Sequence, residues 1–186
     1  MTTEIRVTAH VTPNPNTLKF LLDRQLFTSG TFNFDSKETS KGSSLPYALF
    51  EIKGIEGVMV GPNFVSVTKS PSLDWADVAE PIITTLKGVI ANEDTYVDEA
   101  LRINHASSGS DSDDVTKIKS ILDGEIRPAV AMDGGDIVFH TYEDGILTLQ
   151  LQGACSSCPS SIMTLKMGIE TRLKEEVPSL REVVQL

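Results

Sequence analysis

Asp133-Gly134-Gly135-Asp136, Ile137-Val138-Phe139-His140-Thr141-Tyr142, Asp144-Gly145, Leu147-Thr148-Leu149-Gln150-Leu151-Gln152 and Gly153-Ala154-Cys155-Ser156-Ser157-Cys158-Pro159 follow one another in the later part of a 186-residue chain. The first group breaks whatever precedes it, because two adjacent glycines permit a left-handed turn that ends a helix. The segment Ile137–Tyr142 reads as a strand and Asp144-Gly145 as a tight turn. Residues 147–152 alternate apolar and polar side chains with period two, which predicts a hairpin with one buried face. Proline is favoured at the first position of a helix, so Pro159 marks a helix start directly after the two cysteines.

Upstream, Val115, Ile118, Ile121/Leu122 and Ile126 form the apolar stripe of a helix, with Asp113 or Asp114 expected as its cap and Pro128 expected to disturb it. Downstream, Ile162, Leu165, Ile169 and Leu173 recur at helical spacing, and a last strand runs from about Leu180 to Val184. The predicted order over residues 115–186 is α-β-β-α-β. Before it, residues 106–114 (Ala-Ser-Ser-Gly-Ser-Asp-Ser-Asp-Asp) carry no large apolar side chain and read as a flexible linker reaching about 17 Å. Residues 1–105 read as a small α/β domain. There, Ile5–Val11 and Leu18–Leu22 flank a Thr12-Pro13-Asn14-Pro15-Asn16 turn, and Tyr47–Ile52 forms a short helix. Val58–Val60 and Phe64–Thr68 flank a Gly61-Pro62-Asn63 turn. A helix follows from Asp74, with Val78, Ile82, Leu86 and Val89/Ile90 inward and Pro81 in its first turns or bending it. The fold class is therefore α+β, in two small domains.

Composition limits the function. The formal charge is −10, from 16 basic and 26 acidic side chains, divided as −4, −3 and −3 over the first domain, linker and second domain. Nucleic-acid binding requires a basic patch, so it is not expected. No apolar run nears the roughly 20 residues that span a bilayer, so no membrane partner is expected. The start, Met1-Thr2-Thr3-Glu4-Ile5-Arg6, has neither signal-peptide nor transit-peptide character. A reducing, cytosol-like compartment follows as the expectation: bacterial cytoplasm, or mitochondrial matrix for a processed form.

The chain has two cysteines, Cys155 and Cys158, on the predicted strand-to-helix loop. Small Ser156 and Ser157 let both sulfurs be exposed. The helix start places unpaired N–H groups and a positive dipole end beside them, which favours thiolate. Three chemistries use such a pair. A thioredoxin-like redox pair opens the helix of a βαβ unit, whereas here a hairpin precedes it, no aromatic precedes Cys155, and no late cis-proline candidate is evident. Structural zinc and a 4Fe–4S cluster each take four ligands, so either requires two chains, each giving half of the site. Asp133 and Asp136 are read as bracing their loop, His140 as a surface residue, and Met163 and Met167 as core or dimer-surface packing.

The run Met132-Asp133-Gly134-Gly135-Asp136 followed by Gly153-Ala154-Cys155-Ser156-Ser157-Cys158-Pro159-Ser160-Ser161 resembles the Nfu-type (NifU C-terminal-like) iron–sulfur scaffold domain. Thr12-Pro13-Asn14-Pro15-Asn16-Thr17-Leu18-Lys19-Phe20, with Asn63-Phe64-Val65-Ser66-Val67-Thr68-Lys69 and Asp74-Trp75, resembles the Nfu N-terminal domain. The resemblance implies a non-enzymatic scaffold or carrier. It implies Cys155 and Cys158 as the iron ligands of a 4Fe–4S cluster shared between the two chains of a homodimer. Upstream cluster donors and apo acceptor proteins are the implied partners.

Overall fold

The computed structural model describes residues 5–101, 112–156 and 159–186; the expected linker therefore lies outside them except at residues 112–114. The chain divides into two compact units, Met1–Ile103 and Asn104–Leu186.

In the first unit, β1 (Val7–Val11), β2 (Thr17–Leu22), β3 (Phe32–Phe34), β4 (Ile55–Val60) and β5 (Phe64–Lys69) form one sheet in the order β1-β2-β5-β4-β3. Every neighbouring pair is antiparallel. Two helices, α1 (Ser44–Phe50) and α2 (Trp75–Asn92), add to the core. Asp74 caps α2 by accepting from Ala76 N at 2.9 Å, and Val78, Ile82, Leu86 and Ile90 are its buried stripe. These pack with Phe20, Phe32, Phe34, Leu45 and Leu49. Pro81 sits inside α2, which continues to Asn92.

The motif residues of this unit converge at one end of β2. Thr12 Oγ1 donates to the Thr17 carbonyl at 2.9 Å, and Asn14 Oδ1 accepts from Asn16 N at 3.0 Å. Trp75 Nε1 donates to the Pro15 carbonyl at 3.0 Å. Lys69, 5% exposed, donates to Asn16 Oδ1 and sits 5.3 Å from the Trp75 ring centroid. Buried polar groups must find partners, so this pattern of Pro, Asn, Lys and Trp fixes the hairpin turn to the start of α2.

In the second unit, α3 (Asp113–Ile121) continues through a π turn (Leu122–Ile126) into α4 (Arg127–Met132). The cap is Ser112, not Asp113 or Asp114. Its side chain accepts from Val115 N at 3.3 Å, while both aspartates lie in the first helical turn, where their charge suits the dipole. Ser112→Ala should cost about 1 kcal/mol of unfolding free energy in urea and Asp113→Ala only a few tenths. The helix also passes Pro128. Arg127 N donates to the Leu122 carbonyl, five residues back, so the turn is already widened where the proline ring would crowd a carbonyl.

Strands β6 (Gly135–Glu143) and β7 (Ile146–Gly153) form the expected hairpin. Asp144 (φ 50°) and Gly145 (φ 79°) are both left-handed, as a two-residue type I′ turn requires. After α5 (Pro159–Glu176), β8 (Glu182–Gln185) returns parallel to β7, and the sheet order is β6-β7-β8. Leu147, Leu149 and Leu151 alternate inward against Ile118, Leu122, Val130, Ile169 and Leu173. The cysteine loop thus joins β7 to α5 of a parallel β-α-β unit. The hairpin that precedes it therefore gives no argument against a redox pair. No described helix is long and apolar enough to cross a membrane.

Candidate functional site

The site forms where the end of β7 meets the turn between α4 and β6. Gly134 (φ 77°) takes the left-handed conformation that ends α4, with its N–H donating to the Ala131 carbonyl at 3.1 Å. Its own carbonyl accepts from Ala154 N at 3.1 Å, tying the turn to the cysteine loop. Gly153 (φ 61°) bends the chain out of β7, and its carbonyl accepts from Ser156 N and Oγ at 3.2 and 2.9 Å.

Gly135 is not left-handed. Its role is steric: a Cβ there would lie 2.5 Å from Cys155 Sγ, 3.0 Å from the Gln152 carbonyl and 3.1 Å from Val130 Cγ1. The sulfur therefore rests against the backbone of the Gly-Gly corner. Asp136 follows, 3% exposed, with Oδ1 and Oδ2 accepting from Arg127 Nε and Nη2 at 2.9 and 3.2 Å. Asp136 Oδ1 also accepts from Ile137 N at 2.7 Å, and Arg127 Nη1 donates to Asp123 Oδ1 at 3.0 Å. Burial works against the Arg127 charge, but its bonds to Asp136 and Asp123 outweigh that and hold its pKa above the usual range. Opposite Asp136 in the register stands Gln152, 5% exposed, whose Oε1 has no hydrogen-bond partner among the described residues.

Cys155 is 7% exposed and belongs to the hydrophobic core of this unit. Cys158 lies outside the described residues. The expectation of an exposed Cys155 thiolate is corrected. Burial, then the negative charges of Asp133 and Asp136, push its thiol up to about 11. Desolvation in the core outweighs the helix start that the sequence suggested would lower it. The folded unit binds this proton more tightly than the unfolded chain does. Its contribution to stability is thus present below the ordinary thiol range and lost as pH rises through about 11. In the metal-free protein, iodoacetamide should alkylate Cys155 about 100-fold more slowly at neutral pH than an ordinary thiol. Peptide mapping would separate it from Cys158, and an ordinary rate would contradict the buried placement.

Other sequence expectations resolve cleanly. Asp136 braces its loop, with Arg127 as the partner that the sequence reading missed. The signal was there in Asp123 and Arg127, a pair four residues apart on one helix, with the acidic Gly-Gly turn just beyond. His140 is exposed on β6, at the irregularity between Phe139 and Thr141. Met163 and Met167 are 66% and 64% exposed, so neither is core. Among the described residues no group of three or more His, Cys, Asp or Glu side chains could hold a metal ion.

Comparison with known proteins matches both units. Residues 7–93 match the family described as scaffold protein Nfu/NifU N terminal, and residues 118–184 match the NifU-like domain. The human protein named NFU1 iron-sulfur cluster scaffold homolog, mitochondrial, is 40% identical over 176 residues, covering 94% of this chain and 69% of its own length. The protein of the same name from Drosophila persimilis is 39% identical over 178 residues, covering 94% of this chain and 63% of its own. The chain thus spans about two thirds of the length of these relatives. Among solved structures, a NifU-like protein from Saccharomyces cerevisiae aligns with a TM-score of 0.47 at 24% identity, over 51% of this chain and 86% of that one.

Proposed function

The chain belongs to the Nfu family of iron–sulfur cluster scaffold proteins, a scaffold and carrier family rather than an enzyme family, and from that premise we propose that it holds a 4Fe–4S cluster between two copies and hands it on. Cys155 and Cys158 of each copy supply the four thiolates that such a cluster takes. The observation that carries this reading is the seat of Cys155. It lies at the β7–α5 junction, against a glycine corner, with no group of protein ligands beside it among the described residues. The chain's two cysteines are half of the four thiolates a 4Fe–4S cluster takes, so one chain offers half a site.

The charges beside Cys155 suit this cargo. Burial first, and then the negative charges of Asp133 and Asp136, hold the proton on the thiol in the metal-free protein. The same negative charges attract an iron cation, which displaces that proton and leaves the thiolate as ligand. Release proceeds by ligand exchange, in which an acceptor's thiolate takes each iron as Cys155 or Cys158 leaves it. No electron is transferred. The first unit recruits donors and acceptors.

The test is transfer. The full chain, loaded anaerobically with ferrous iron and sulfide, is mixed with an apo protein whose activity requires a 4Fe–4S cluster. The acceptor should gain activity as the brown absorption leaves this chain, and a chelator of free iron should not intercept the transfer. A loaded chain that never activates the acceptor, or does so only through chelatable iron, would sink the carrier reading.

A further inference from the structure

We propose that Arg127 is a positioning residue for cluster holding: by gripping Asp136 at both carboxylate oxygens it fixes the Gly134–Gly135 corner on which Cys155 is seated, and so sets how long the cluster stays bound. This inference rests on the cluster-holding reading above.

The grip is unlike an ordinary surface ion pair, which contributes little. Asp136 is 3% exposed, and its Oδ1 is shared between Arg127 Nε and Ile137 N. A planar guanidinium donating two bonds to one carboxylate restricts direction as well as distance. The carboxylate that follows Gly135 in sequence is thereby held from two sides.

The helix that delivers Arg127 is itself altered to do so. The turn over Leu122–Ile126 is π rather than α, with Arg127 N bonded to the Leu122 carbonyl. One extra residue in a turn rotates everything after it by about 100° relative to an unbroken α-helix. Asp123, at the start of that turn, holds the remaining guanidinium arm at 3.0 Å. The widened turn and the ion pair thus act on the same side chain.

Gly134 and Gly135 touch the cysteine loop at two points. The Gly134 carbonyl holds Ala154 N, and Gly135 approaches Cys155 Sγ so closely that no Cβ fits between them. A corner freed from Asp136 would let the sulfur drift from the position it must keep to face a second copy. Partners that orient metal ligands from behind typically change metal affinity by about 10- to 100-fold when removed.

The experiment uses the full chain, reconstituted anaerobically, as wild type, Arg127→Gln, Arg127→Lys and Val183→Ala. Three quantities are read: the rate at which a ferrous chelator strips the cluster, the visible circular dichroism of the bound cluster, and the melting temperature of the second unit. Arg127→Gln should lose its cluster at least about 10-fold faster, with altered visible dichroism. Arg127→Lys keeps the charge but loses the two-pronged contact, so it should fall between. Val183 pairs with Leu147, at the other end of β7 from Gly153. Its truncation should lower the melting temperature without changing the stripping rate. If Arg127→Gln does not fold, Arg127→Lys decides: faster stripping at an unchanged melting temperature supports the proposal, and the wild-type rate overturns it. Wild-type retention in Arg127→Gln overturns it, as does stripping in Val183→Ala that accelerates in step with lost stability. Failure of the wild-type chain to load any cluster would sink the cluster-holding reading itself. A loaded wild type with indifferent Arg127 variants sinks only this inference.

Discussion

Cys155→Ala is expected to abolish cluster loading while lowering the stability of the second unit by only about 1 kcal/mol, the scale of deleting one methyl-sized group from a core. The asymmetry follows from two separate roles. As packing, the Cys155 sulfur fills a small space beside Val130 and Gly135. As chemistry, it is one of two thiols that the chain possesses. Its loss leaves two copies with two of the four thiolates that the cluster takes. Visible absorption after anaerobic reconstitution measures the first effect and urea unfolding the second. Full loading of Cys155→Ala would remove this residue from the ligand set. Collapse of the fold would mean that the buried sulfur is structural first.

Gly135→Ala is expected to disturb both functions at once. A single added methyl group meets Cys155 Sγ at 2.5 Å, the Gln152 carbonyl at 3.0 Å and Val130 Cγ1 at 3.1 Å. Two of these three neighbours cannot step aside easily: the carbonyl belongs to β7 in register with β6, and Val130 is packed in the core. The sulfur is therefore displaced, and overpacking of this kind costs about 1–3 kcal/mol. Cluster loading should fall with it, because the displaced atom is the proposed ligand. Gly168→Ala is the matched comparison. Its Cβ would meet nothing within 4 Å on α5, so helix propensity alone applies and the change should stabilise by about 0.5–1 kcal/mol. Equal stability and loading in Gly135→Ala and Gly168→Ala would contradict the close seat described for Cys155.

The hairpin of the second unit was plain in the residues, since Leu147, Leu149 and Leu151 alternate after an Asp144-Gly145 turn whose left-handed angles few other pairs accept. Helix α2 was equally plain from Val78, Ile82, Leu86 and Ile90, because a long stripe repeats the signal. Strand β3 carries no such signal. It has three residues, Phe32–Phe34, and is a strand only because β4 pairs with it. Helix α1 starts at Ser44 rather than Tyr47, with Pro46 inside its first turn.

The site was half legible. Cysteines separated by two small residues and followed by proline marked a strand-to-helix loop, and the Gly-Gly corner announced a turn. That the turn and Cys155 touch, so that Gly135 shapes the seat of the sulfur, depends on β6 and β7 lying side by side, and no local pattern contains that contact. The same is true of the thiol's chemistry. A helix start argues for thiolate, and only burial of the sulfur in the core, with the negative charges of Asp133 and Asp136, reverses the direction. The last strand was legible, expected from about Leu180 to Val184 and found at Glu182–Gln185, but its parallel pairing with β7 was not, since pairing partners are set by the crossover and not by the strand's own residues.

Whether one chain carries half a site is tested most directly by native mass spectrometry of the full chain, loaded with iron and sulfide under anaerobic conditions, which weighs protein and cargo together. A species of two chains with four Fe and four S is expected, reverting to single chains when the cluster is stripped. A cluster carried entire by a single chain, or a pair of chains bridged by zinc with no sulfide, would contradict it.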